Sequence, residues 1–225
     1  MLTSESRILT THAGSLPRPR ELAELHGRRS RGEDVDEAEL REAIAAATRE
    51  SIAAQLAAGI DIGNDGEQAR ESFFTYVQHR MTGFGETSQR PLMRDLAEHP
   101  DFLEMAAARY ARMKVNLMAA PAAIGPITYP DTTELAAECA LVAGAEFAET
   151  FMTSASPGIV ASAMENRFYE TRDEYVRAVA AALGTEYRFI VDRGLLLQID
   201  APDLAMERHT LFADAPLSEF LRWVE

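Results

Sequence analysis

The sequence predicts an α/β fold, a (β/α)8-type TIM barrel of which it carries about the first five strand–helix units. Three observations predict it. Short apolar stretches alternate with helical ones about five times, with no run of consecutive strands. The stretch Gly59–Gln68, GIDIGNDGEQ, alternates Ile60 and Ile62 with Asp61 and Gly63 and then opens into an acidic turn. Barrels place their chemistry at such turns, just past the carboxyl ends of strands. Finally, the loop HAGSLPRP after the first strand lacks the glycine-rich phosphate turn of a doubly wound sheet. A complete barrel takes about 250 residues and eight strands. Five strands in 225 residues therefore read as an incomplete barrel, a single domain over residues 1–225.

The elements follow in order. Arg7–Thr11 reads as the first strand. Its loop holds Gly14, which permits unusual dihedrals, and two prolines, Pro17 and Pro19, which exclude helix and central strand. Pro19–Arg31 has helical periodicity, and the basic run Gly27–Gly32 reads as a solvated connector. Asp36 caps the next helix, with Glu39 completing a capping box. That helix runs to about Ala58 with Leu40, Ile44, Ala47, Ile52 and Leu56 on one stripe, and Gly59 stops it. The aromatics Phe73, Phe74, Tyr76 and Phe84 read as a cover over the barrel mouth, the alternative being a pocket wall. Asp101–Lys114 is a helix bordered by Pro100. Ala122–Tyr129 is a third strand interrupted at Gly125-Pro126. Asp131–Ala143 is a helix ended by Gly144, and Phe147–Thr153 a fourth strand opening into the loop Ser154–Gly158. Arg172–Arg193 is a long helix stopped by Gly194. Leu195–Ile199 is a fifth strand ending in Asp200-Ala201-Pro202-Asp203, and Pro216–Glu225 begins another helix.

The bulk numbers exclude some functions. Hydrophobic residues make up 47% of the chain, enough for a real core. A net charge of −14 and a pI near 4.8 disfavour nucleic acid and anionic membrane surfaces, which attract Lys and Arg patches. The single cysteine, Cys139, rules out an internal disulfide and fits a reducing cytosol, hence a cytoplasmic protein. No apolar run approaches the ~18 residues of a membrane-spanning helix, and the start MLTSESRILTTHAG lacks the apolar core of a signal peptide.

Glu67 and Asp200 each lie just past a predicted strand end. Two carboxylates in one barrel mouth can bind an ammonium group or a metal, or act as acid and base; the alternative for each is a turn acid that caps a helix. Asp65 before Gly66 is an ordinary turn residue with a weaker claim. His12 follows a strand, and Ser15 either caps the next segment or holds a carboxylate. His209 reads as structural. Cys139 has no histidine at metal-ligand spacing and reads as buried filler.

Four motifs occur in order: TTHAGSLPRP from Thr10, NDGEQ from Asn64, Gly125-Pro126-Ile127, and QIDAPDLA from Gln198. Together they resemble the catalytic domain of cobalamin-independent methionine synthase, especially its short single-barrel members, over essentially the whole chain. The resemblance implies a TIM barrel acting as a 5-methyltetrahydropteroyltriglutamate–homocysteine S-methyltransferase. It would take a methyl group from a folate to the thiol of homocysteine, with zinc binding the thiol as thiolate. It further implies that Ser15 holds the amino acid's carboxylate and that Glu67 and Asp200 hold its ammonium group. His12 stands where full-length members have another residue, and Ala201 replaces a common acidic one. The family's zinc ligands, a His-x-Cys pair, a glutamate and a second cysteine, lie in later strands. None has a counterpart here, so no metal ligand is assigned, and the chain is expected to carry the amino-acid half and to be inactive alone. Two other functions stay open: alkyl transfer to a different thiol, and a non-catalytic half barrel. The last would assemble with a complementary chain or a second copy, because an open barrel exposes strand edges.

Overall fold

The computed structural model describes residues 1–89, 94–110 and 120–225. Helix α1 (Arg20–Ser30) sets Leu22 and Leu25 against Leu40 and Ala47 of α2 (Glu37–Ala57). Asp36 opens α2 by accepting the backbone N–H groups of Ala38 at 2.8 Å and Glu39 at 3.2 Å. Such a cap contributes about 1 kcal/mol. Two expectations need correcting. The basic run expected as a connector is helical through Ser30: Arg28 and Arg29 occupy the last turn of α1, where the helix dipole favours cations. Arg29 also reaches Glu134 at 3.4 Å. Leu56 leaves the buried stripe and is 36% exposed, because 3.6 residues per turn carry it about 160° round from Leu40.

The expected first strand, Arg7–Thr11, is not a strand. Thr11 forms one isolated parallel bridge to Ile62. Asp61 is the reason: its carboxylate takes the Arg7 guanidinium and accepts the Thr10 N–H at 2.8 Å, so backbone that would extend the ladder is bonded to a side chain. Strand β1 (Ile62–Gly63) is followed by α3 (Val77–Arg80), β2 (Phe84–Gly85), α4 (Arg94–Ala97), α5 (Pro100–Tyr110) and β3 (Ala122–Ala123). The last residues of the helix expected to reach Lys114 lie outside the described residues. The third strand, expected to run to Tyr129, ends after Ala123 and pairs antiparallel with β2, which periodicity did not mark. Pro126 has no N–H to donate, and the N–H groups of Ile124 and Gly125 turn back onto the Gly83 carbonyl at 2.8 and 3.1 Å.

The rest of the chain runs α6 (Thr133–Ala143), β4 (Glu149–Ala155), α7 (Pro157–Ala163), α8 (Arg172–Asp192), β5 (Leu196–Asp200), α9 (Asp203–Met206) and, after a 3-10 turn at Glu207–His209, α10 (Leu217–Val224); of these, α6, β4, α8, β5 and α10 fall on elements the sequence predicts. Ser154 and Ala155, expected in a loop, complete β4. Ser156 then caps α7, a short helix absent from the sequence reading, by accepting the Ile159 N–H at 3.0 Å with Pro157 at the first helical position. Strands β1, β4 and β5 form a parallel sheet in chain order, with Ala155 opposite Asp200 at its far end.

The central strand β4 is buried on both faces, as parallel strands between helices are. Met152 packs with Leu135, Cys139, Val142, Ile190 and Leu195 in the helical layer. Thr153 points the other way, towards the loops described next. The fold is therefore α/β, helix-rich with small sheets. Among the described residues no helix is long and apolar enough to cross a membrane.

Candidate functional site

Three loops meet beyond the carboxyl ends of the parallel strands, around a cavity of about 430 Å³. Gly14 and Ser15 line it from the first loop, Glu67 and Phe73 from the second, and Asp200, Ala201 and Pro202 from the third.

The first two loops are stitched together. The Leu16 N–H donates to the Gly66 carbonyl at 3.0 Å, and the Gln68 side chain donates to the Leu16 carbonyl at 3.2 Å. The Asn64 side chain donates to the His12 carbonyl. Arg18 Nη2 donates to the carbonyls of Glu67 at 2.8 Å and Arg70 at 2.5 Å. Within the second loop, Asn64 Oδ1 accepts the Gly66 N–H at 2.7 Å and Asp65 Oδ1 the Glu67 N–H at 2.9 Å. These paired Asx turns hold Gly66 at φ +65° and Glu67 at φ +55°. The left-handed region costs a non-glycine residue roughly 1–2 kcal/mol, so the surrounding bonds must impose it at Glu67. The third loop hangs from β5: the Ser156 N–H holds the Asp200 carbonyl at 2.9 Å, and Ser156 Oγ donates to Asp203 Oδ1 at 2.5 Å.

Glu67 is the buried centre of the site, 2% exposed. Its Oε2 accepts the Ser15 hydroxyl at 2.5 Å, and its Oε1 lies 3.5 Å from Thr153 Oγ1. Asp200 is half-buried, with Oδ1 accepting from the Gln198 side chain at 2.8 Å. Burial pulls the Arg18 guanidinium below its ordinary pKa, while Glu67, Glu71 and Asp65 oppose that shift. Arg70 is wholly buried. Burial works against its charge too, but Tyr76, Asp65 and Glu186 more than offset this and hold its pKa above the ordinary value.

Of the residues nominated from sequence, Ser15, Glu67 and Asp200 share this cavity. His12 and Asp65 are outside its lining. The His12 ring lies 3.0 Å from the Gly14 carbonyl, and Asp65 is buried behind the turn it braces. The aromatics divide: Phe73 walls the cavity, whereas Phe74 and Tyr76 belong to the core instead of covering a mouth. Arg18, Arg70 and Thr153, which brace Glu67, escaped sequence reasoning. For Arg18 and Arg70 the only signal was an arginine three residues after a nominated one. Among the described residues, no group of three or more His, Cys, Asp or Glu side chains is placed to hold a metal ion. Cys139 is buried in the helical layer, where burial raises its thiol to about 11. The described residues therefore do not fit a zinc ion.

Comparison with known proteins agrees with this architecture. The family model described as the catalytic domain of cobalamin-independent synthase matches residues 8–224. A solved B12-independent methionine synthase from Shewanella sp. W3-18-1, in complex with selenomethionine, superposes with a TM-score of 0.65 at 22% identity, over 87% of this chain and 52% of that one. The chain thus spans about half the length of that structure. A search of curated proteins gave no match. With all but a few terminal residues matched, the chain belongs to the cobalamin-independent synthase catalytic-domain family.

Proposed function

We propose that the cavity between the three loops holds an amino acid with a thiol or thioether side chain, homocysteine or methionine. On this reading the chain is the amino-acid-binding part of a methionine-synthase-like barrel that moves a methyl group from a folate donor to the homocysteine thiol. One observation carries it: two carboxylates and a serine hydroxyl, from segments up to 185 residues apart in the chain (Ser15 to Asp200), line the same cavity. The strand order supports the barrel, since parallel strands added in chain order are those of a barrel sector, not of a sheet with a switch point.

The chemistry of recognition follows from the donors present. A partly buried ammonium needs anionic partners, and Glu67 and Asp200 supply them. The single Ser15 proton is spent on Glu67. An arriving ammonium donates to Glu67 in its place and frees the hydroxyl to donate to the substrate carboxylate. Phe73 offers an apolar wall for the sulfur-bearing chain. In this family zinc supplies thiol activation; the described residues hold no ligand set for it.

Calorimetric titration with L-methionine tests the reading. The protein is expected to bind it. Glu67→Gln and Asp200→Asn should each weaken binding about tenfold or more, as loss of a charge-assisted hydrogen bond does, and Ser15→Ala less. Equal affinity in all variants would contradict it.

A further inference from the structure

Resting on the amino-acid reading above, we infer that Thr153, clamped by Arg70, is a positioning residue that aims Glu67 Oε1 at the substrate's amino group.

The geometry leaves Thr153 little freedom. Arg70 holds it twice: Nη1 donates to Thr153 Oγ1 at 2.7 Å, and Nη2 donates to the Thr153 carbonyl at 2.6 Å. A guanidinium has donors only, so Thr153 Oγ1 must accept from it, and the hydroxyl's single proton points elsewhere. The acceptor in reach is Glu67 Oε1 at 3.5 Å, the outer limit of a hydrogen bond. Both oxygens of Glu67 therefore face hydroxyl protons, one from Ser15 in the mobile-substrate side of the site and one from Thr153 on the rigid sheet side. Ser15 is exposed and exchanges its partner when substrate arrives. Thr153 is 1% exposed on the central strand and does not.

Arg70 is itself immobilised. Its guanidinium lies 4.5 Å from the centroid of the Tyr76 ring, and the Tyr76 hydroxyl donates to Glu186 at 2.5 Å. Arg18, reaching from the Ser15 loop, takes the Arg70 carbonyl. The clamp thus transmits the position of the sheet to a glutamate whose backbone sits in a strained region. Without it Glu67 would have three free torsions and, among the described residues, the exposed Ser15 hydroxyl as its hydrogen-bonding side-chain partner.

Thr153→Val removes the hydroxyl at nearly constant volume and leaves the carbonyl contact to Arg70 in place. It should weaken L-methionine binding about tenfold, with Thr153→Ser restoring it to within about twofold of the parent. Thr153→Ala, which removes the same hydroxyl, substitutes if the valine variant does not fold. Crystal structures of the ligand-free parent and of Thr153→Val should show the Glu67 carboxylate displaced in the variant alone. Parent-like binding by Thr153→Val, equal weakening by the serine and valine variants, or an unmoved Glu67 would each overturn the inference. If the parent itself binds no methionine, the amino-acid reading falls, and the position of Glu67 in the two crystal structures decides the clamp by itself.

Discussion

Single residues in this protein carry legible and illegible information in uneven shares. Glu67 could be found from sequence because Asn64-Asp65-Gly66 announces a tight turn and the preceding alternation announces a strand. Asp200 was legible for the same reason, at the end of LLLQID. Thr153 and Arg70 were not, because a threonine in a strand and an arginine in a charged run look like a thousand others. Their meaning lies in a contact 83 residues apart in the chain. Glu71, next to Arg70, gives a prediction at this scale. It is buried with His79 Nε2 at 3.3 Å and the Thr75 hydroxyl donating at 3.0 Å. Burial alone would raise its pKa, but these partners win and hold it at about 2. A carboxyl depressed on folding stabilises the native state above its unfolded pKa of about 4.3 and loses that contribution as pH falls towards the folded value. Urea unfolding should therefore show stability falling by up to about 3 kcal/mol between pH 5 and 2 from this group, and Glu71→Gln should flatten that part of the curve. Identical pH dependence in the variant would contradict it.

At the scale of elements, helices were read better than strands. Apolar period, Asp36 as a cap and glycine stops fix α2, α6 and α8 locally, and in the structure α8 also opens on a capping box between Thr171 and Glu174. Strands depend on partners elsewhere. Arg7–Thr11 has strand-like composition, yet Asp61 intercepts its backbone. The ribbon of Phe84–Gly85 with Ala122–Ala123 is too short to leave a period. The turn from β4 into α7 shows how an element can serve the site. A Cβ at Gly158 would lie 2.0 Å from Asp203 Oδ2, and Asp203, just after the Asp200 loop, is pinned to Ser156, the cap of α7. Gly158→Ala should cost roughly 1–3 kcal/mol, the range for forced overpacking, seen as a lower thermal midpoint together with weaker methionine binding. An unchanged midpoint would show that the Asp200 loop yields freely.

Across the whole molecule, a buried polar network ties the helices to the sheet behind the site. Glu186 of α8 accepts from Tyr76 at 2.5 Å, Ser154 at 2.7 Å, Tyr129 at 2.9 Å and Arg80 at 3.1 Å, and Arg80 also pairs with Glu138 of α6. Every member is a long-range contact, so none of it could be read from local pattern. Glu186 is bonded at both oxygens, while Glu138 Oε2 has no hydrogen-bond partner among the described residues; a network joined at this many points favours one arrangement of elements over its neighbours. That rigidity lets three loops from distant parts of the chain meet at fixed positions. On the proposed reading they meet to grip an amino acid. A crystal structure of the protein soaked with L-methionine tests it most directly. Density is expected in the cavity with the ammonium within hydrogen-bond distance of both Glu67 and Asp200 and the carboxylate on Ser15. An empty cavity at saturating methionine, or a ligand bound with its ammonium turned away from both carboxylates, would contradict it.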